Sequence, residues 1–145
     1  APATNMRMMP HIYDPSARAK IHYAAMVRAA MYSYGLTRPY FTEEEPLTLE
    51  VVFVLPRRRQ DLVRRWGRTS LTSTAQTFPR RKDIDNMLKF LMDALQGELY
   101  HDDVTITKVI LSKMFAQNPG AGRGWTEVQI STSTDVPPLA TGVFV

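Results

Sequence analysis

Residues 82–113, KDIDNMLKFLMDALQGELYHDDVTITKVILSK, constrain this chain more than any other stretch. Ile84, Leu88, Leu91 and Leu95 recur at helical spacing, Gly97 supplies a stop, and Val104 to Phe115 is a long apolar run. The spacing predicts a helix beginning near Asp83 with one buried stripe. A turn follows, then a strand apolar on both faces, as a strand in the interior of a sheet is. Asp83 and Asp85 open the helix and Asp102-Asp103 opens the strand. Carboxylates at neighbouring element ends can converge on one small volume, where they raise one another's pKa unless a cation offsets them. Hard divalent cations such as Mg²⁺ take oxygen ligands. The pattern reads first as a metal site for phosphate chemistry.

Each piece also has an ordinary reading. An Asp at a helix start is commonly a cap or a dipole partner. Lys89, four residues after Asp85, forms a common exposed helix pair, and an Asp-Asp dipeptide is often only a turn. Asn86 serves equally as a cap or as a group orienting a carboxylate. The joint occurrence carries the inference.

Immediately upstream the charge is lopsided. Arg57, Arg58, Arg59, Arg64, Arg65, Arg68, Arg80, Arg81 and Lys82 face one anion, Asp61, so this segment outweighs the net charge of +4 for the whole chain. Positive charge gathered in one segment is the footprint of a polyanion binder. A solvated, partly disordered basic loop is the plain alternative. Thr69 to Thr77 shows no convincing period. Residues 57–82 are therefore expected to form a long surface loop with a helical turn around Asp61 to Trp66. Trp66 and Phe78 suit stacking on unpaired bases, although packing the loop onto the domain is the favoured reading of both.

Elsewhere, residues 1–12 look irregular. Asp14-Pro15-Ser16 resembles a helix start, followed by Ile21, Ala24, Val27, Met31 and Tyr34 at helical spacing and Gly35 as a stop. Leu47 to Leu55 alternates as a strand ending at Pro56, and Trp125 to Ile130 forms a partner strand. From Ser131 the chain reads as a tail, with one domain placed at 1–133 and the tail at 134–145. At 145 residues a single core is expected. No apolar run reaches the ~18 residues of a membrane span. The absence of cysteine excludes disulfides and thiolate metal sites and favours an intracellular setting. The first residue is Ala rather than Met, which points to trimming from something longer. His101 reads as an exposed turn residue, since a hard-metal site prefers oxygen. His11 and His22 receive no role.

Asp83-Ile84-Asp85-Asn86-x-x-Lys89, then Asp93-Ala94-Leu95, Gly97, Tyr100 and Asp102-Asp103, resembles the signature of RusA-type Holliday junction resolvases. The match is dense from Lys82 to Val109 and looser upstream, at His11 to Ser16 and Leu47 to Pro56. The family's opening Pro-rich strand and Asn-containing basic loop are largely absent or cut short.

The resemblance implies a single α+β domain, a mixed β-sheet with two main helices packed on it. It also implies a homodimeric, Mg²⁺-dependent endonuclease that nicks four-way DNA junctions symmetrically in recombination and repair. Under it, Asp83, Asp85 and Asp103 are the metal-binding carboxylates and Lys89 the catalytic lysine, with Asp102 ranked below Asp103. The nine cations of residues 57–82 are the expected DNA contacts. A metal nuclease for other branched DNA and a junction-binding module without catalysis are the alternatives.

Overall fold

In a computed structural model, the described residues are 4–8, 17–36 and 39–132. The sequence's own alternation builds the centre. In β2 (Leu47–Leu55) the odd-numbered residues are buried, and the strand pairs on both sides. It runs parallel to β5 (Ile106–Phe115), from Leu47 opposite Ile106 to Leu55 opposite Phe115. On its other edge it runs antiparallel to β6 (Trp125–Thr132). β1 (Thr4–Met8) pairs antiparallel with β6 and completes a four-stranded mixed sheet ordered β1-β6-β2-β5.

Two helices cover one face. α1 (Ala17–Ser33) contributes Tyr23, Val27 and Met31, and α2 (Ile84–Leu95) contributes Met87, Phe90, Leu91, Ala94 and Leu95. They pack on Leu47, Leu49, Val51 and Phe53 of β2 and Val128 and Ile130 of β6. Phe41, Leu99 and Tyr100 complete this core. Full burial of one such side chain stabilises by about 1.5–3 kcal/mol. Gly35 and Gly97 follow the helices with φ of 71° and 83°, conformations that Gly adopts without a Cβ penalty. The α+β class, the mixed sheet and the two helices agree with expectation.

Several expectations do not survive. The stripe on α2 is rotated, so that Met87, Phe90 and Ala94 are buried while Ile84 and Leu88 are only half-buried. Ile21 on α1 and Tyr34 just beyond its end face solvent, and Tyr23 takes the inner position. Residues 4–8 form a strand rather than irregular chain, because pairing with β6 supplies an order that local composition does not. β6 runs two residues past Ile130, to Thr132. β5 is not interior. Among the described residues it pairs with β2 alone, and Val109, Ile110 and Met114 are exposed along it.

The basic segment is ordered. A 3₁₀ turn (Arg59–Asp61) leads into a hairpin of β3 (Leu62–Arg65) and β4 (Arg68–Leu71), with Arg65 opposite Arg68. The expected helical turn is confined to three residues, and the turn Trp66-Gly67 converts the rest into a two-stranded ribbon. The helix start at Asp14–Ser16, His11 and the tail at 134–145 lie outside the described residues.

Candidate active site

α2 begins where its sequence says it should, but Asp83 is not used as an ordinary cap. It occupies the N-cap position with extended backbone and makes no side-chain cap hydrogen bond. Its carboxylate is therefore not committed to holding the helix. Lys82, just before it, has φ 75°, a left-handed conformation that non-Gly residues rarely adopt. Lys113 of β5 donates from Nζ to the Lys82 carbonyl oxygen at 2.9 Å, tying this strained junction to the far end of β5. Strain of this kind concentrates at functional sites.

An open cleft of about 550 Å³ is lined by Lys20, Lys82, Asp83, Asn86, Met87, Lys89 and Phe90. Lys89 and Asp85 share the exposed face of α2 one turn apart. Lys20 also reaches Asp93 at 2.9 Å. The cleft thus gathers three lysines and one carboxylate, Asp83, in its lining, a polarity suited to a phosphate group approaching a carboxylate.

The second half of the acidic motif lies elsewhere. Asp102 accepts from the Val104 amide at 3.2 Å and caps the short 3₁₀ turn Asp103–Thr105. The Asp103 carboxyl is pushed above the usual carboxylate range, first by its hydrogen bond with Asp102, then by slight desolvation and by the charges of Asp102 and Asp93. Tyr100 donates to the Met92 carbonyl oxygen at 2.7 Å. Burial raises the Tyr100 phenol, with Asp103, Asp93 and Asp102 adding to the effect. Asp93, Asp102 and Asp103 therefore gather around the C-terminal end of α2, and Asp83 and Asp85 stand at its other end. Ten residues of helix separate Asp83 from Asp93, about 15 Å at 1.5 Å per residue. Convergence within one chain, the arrangement anticipated from the motif, is not what the fold provides. Among the described residues, no three Asp, Glu or His side chains of one chain converge as a metal cradle.

The basic segment divides in two. Arg58 makes a bidentate pair with Asp61 at 2.8 and 2.7 Å, with Asp61 2% exposed, so this charge is met inside the fold. The Arg58 guanidinium holds the Asp61 carboxyl below its ordinary range. Arg57 lies 4.1 Å over the Phe115 ring and donates to the Gln76 carbonyl oxygen. Arg59, Arg64, Arg65, Arg68, Arg80, Arg81 and Lys82 remain on the surface. Arg80 stacks 5.1 Å from Phe78. His101 is exposed, 3.5 Å from Glu43.

Sequence reasoning gave Asp93 no role in the site and counted Asp61 only as a stray anion. The first sits within the motif itself, ten residues after Asp83. The second was legible as the one acid in a basic run. A family model described as Endodeoxyribonuclease RusA matches residues 3–130. The chain belongs to the RusA endodeoxyribonuclease family. That match spans β1 to β6 and so covers both acidic clusters and the hairpin. Among curated proteins, none matches this sequence. No described helix is long and apolar enough to cross a membrane.

Proposed function

We propose that the protein is a Mg²⁺-dependent endonuclease that resolves four-way DNA junctions by paired symmetric nicks, in recombination and repair, and that it works as a homodimer. The observation that carries this reading is the separation of the acidic motif along α2. One copy offers Asp83, Asp85 and Lys89 at one end and Asp103 at the other, and neither end alone supplies a set of ligands. A second copy brought up antiparallel supplies the missing half to each.

The edge of the sheet supports that assembly. Among the described residues β5 has one side unpaired; it is ten residues long and exposes Val109, Ile110 and Met114. A long apolar edge invites strand pairing with another chain. Asp103 precedes β5, and Lys113, bonded to Lys82, lies near its far end, roughly 30 Å away at 3.3 Å per residue. Antiparallel pairing about a two-fold axis near Val109 would lay the start of each strand against the end of the other. Asp103 of one copy would then approach Asp83 and Asp85 of the second, twice by symmetry. Two sites are what paired nicks require.

The donor set suits a hard cation, being all carboxylate, with Asp103 already held in an environment that resists its negative charge. Bound Mg²⁺ would lower the pKa of water and polarise the phosphoryl oxygen. Asp83, Asp85 and Asp103 would hold it. Lys89 would stabilise charge developing on the phosphate without serving as a ligand. Arg59, Arg64, Arg65, Arg68, Arg80, Arg81 and Lys82 would make backbone contacts that position DNA without reading sequence.

The test is nicking of a synthetic four-way junction with and without Mg²⁺, with linear duplex of the same sequence as control. The expected result is Mg²⁺-dependent cleavage of the junction only, abolished by Asp85→Asn with junction binding retained. Cleavage by Asp85→Asn at the native rate would remove the site assignment.

A further inference from the structure

The tip of the β3–β4 hairpin breaks three local rules at once. Trp66 and Gly67 have φ of 54° and 73°, the signs a two-residue type I′ turn requires. Position one of such a turn favours Asn, Asp or Gly, so a Trp there holds a strained backbone. Its indole gains nothing in return, because Trp66 is 98% exposed. Arg65 and Arg68 stand directly opposite one another, a like-charge cross-strand pair that weakens a hairpin. Arg64 is exposed beside them.

The base of the hairpin, by contrast, is firmly set. Asp61, buried and paired with a partly exposed Arg58, sits at that base, and the Thr72 amide donates to the Asp61 carbonyl oxygen at 2.9 Å. A stem anchored at its base therefore presents an unsupported aromatic ring on a turn flanked in sequence by Arg64, Arg65 and Arg68. Sequence alone favoured a packing role for Trp66, and the fold gives it none.

We propose that Trp66 is a stacking residue for DNA bases exposed at a branch point, with Arg64, Arg65 and Arg68 neutralising the phosphates around it. Two of these unfavourable features are offset directly by such a partner, which gives the strained placement of the ring a use. A polyanion relieves the repulsion of Arg65 and Arg68, and a free base face covers the indole. Continuous duplex stacks its own bases and offers no such face, so the residue contributes to junction selectivity and not to general DNA affinity. The inference rests on the junction-nuclease reading above but concerns a surface outside its carboxylates.

The experiment compares wild type, Trp66→Asn and Trp66→Phe without Mg²⁺, measuring affinity for a four-way junction and for linear duplex. It also follows the fluorescence of 2-aminopurine placed at the branch. Trp66→Asn suits the turn and is expected to melt at the same temperature as wild type or higher. It should weaken junction binding between about 5-fold and about 100-fold, the range of one lost base–aromatic stack. Duplex binding should be unchanged, and the 2-aminopurine signal seen with wild type should be lost. Trp66→Phe should restore most of both. Equal weakening on both DNAs, no weakening on either, or a lower melting temperature for Trp66→Asn would overturn the proposal. Junction nicking by wild type in Mg²⁺, run alongside, separates the two readings. If wild type nicks junctions while Trp66→Asn binds them as well as wild type, only the stacking role falls. A wild type that neither prefers nor nicks junctions ends both.

Discussion

Replacing Ile110 with Lys should dissociate the proposed dimer while sparing the fold. Ile110 is 45% exposed near the middle of β5, so a charge there meets water in the single chain. Fully burying an Ile is worth about 1.5–3 kcal/mol. Covering the exposed part at a two-fold seam is then worth about 1 kcal/mol per copy, or about 2 kcal/mol per dimer, by the same area rule. At about 1.4 kcal/mol per factor of ten, that loss raises the dimer dissociation constant roughly 30-fold. Desolvating two ammonium groups at the seam adds to it, and Lys on an edge is a common means of blocking strand pairing. Sedimentation velocity over a range of protein concentrations reads the dissociation constant, and a thermal melt reads the fold. Nicking measured at the same concentrations should fall in step with the fraction of dimer. A dimer of unchanged stability would refute the role of β5. A monomeric variant that nicks as well as wild type would refute the need for two copies.

Two further outcomes follow from the charges. Asp103 is raised above its ordinary pKa, so its ionised form is a net cost to the fold at pH values above that raised pKa. Asp103→Asn should therefore stabilise the protein at neutral pH by thermal melt, and the gain should vanish as the pH falls below the ordinary carboxylate range. Activity should be lost, the exchange of stability for function common at such sites. Asp61 is shifted the other way by Arg58, so its contribution is present above the unfolded carboxylate pKa and is lost as pH falls through the lowered folded value. Asp61→Ala should speed amide hydrogen exchange in β3 and β4 at neutral pH while leaving exchange in β2 unchanged. Equal protection of the hairpin in both proteins would show that the Arg58 pair does not anchor it.

The parts of the fold that were legible are those with a strong period. α2, β2 and β6 follow from apolar spacing, and Gly35 and Gly97 mark the helix ends. β1 was not, because its five residues, with Met6 and Met8 as the only apolar pair, are too short a run to mark a strand before β6 pairs with it. The hairpin was missed because Trp-Gly is not one of the favoured turn dipeptides, and the strands LVRR and RTSL are too short and too charged to show a period. β5 shows the limit of hydrophobicity as a guide. Apolar residues on both faces signal burial, but β5 leaves Val109, Ile110 and Met114 exposed, and the second copy proposed above would supply the cover they call for.

The site divides in the same way. The spacing of Asp83, Asp85, Lys89 and Asp103 carried the family, and the local chemistry of each residue followed. What spacing cannot express is distance in space. A helix of 12 residues between the two acidic pairs sets them at opposite ends, and the one-dimensional motif conceals that gap. The exposed Trp66 was equally ambiguous until its burial was known.

Complementation tests the central claim, a metal site shared between two copies. Asp83→Asn/Asp85→Asn and Asp103→Asn should each be inactive on a four-way junction. Mixed, unfolded and refolded together in equal amounts, they should regain Mg²⁺-dependent nicking, because the mixed dimer unites the intact Asp103 of one copy with the intact Asp83 and Asp85 of the other. About half the dimers are mixed and each holds one working site of two, so activity should return to about a quarter of wild type, as single nicks and not paired ones. A mixture as inactive as its components would place all the carboxylates of a site in one chain and contradict the account.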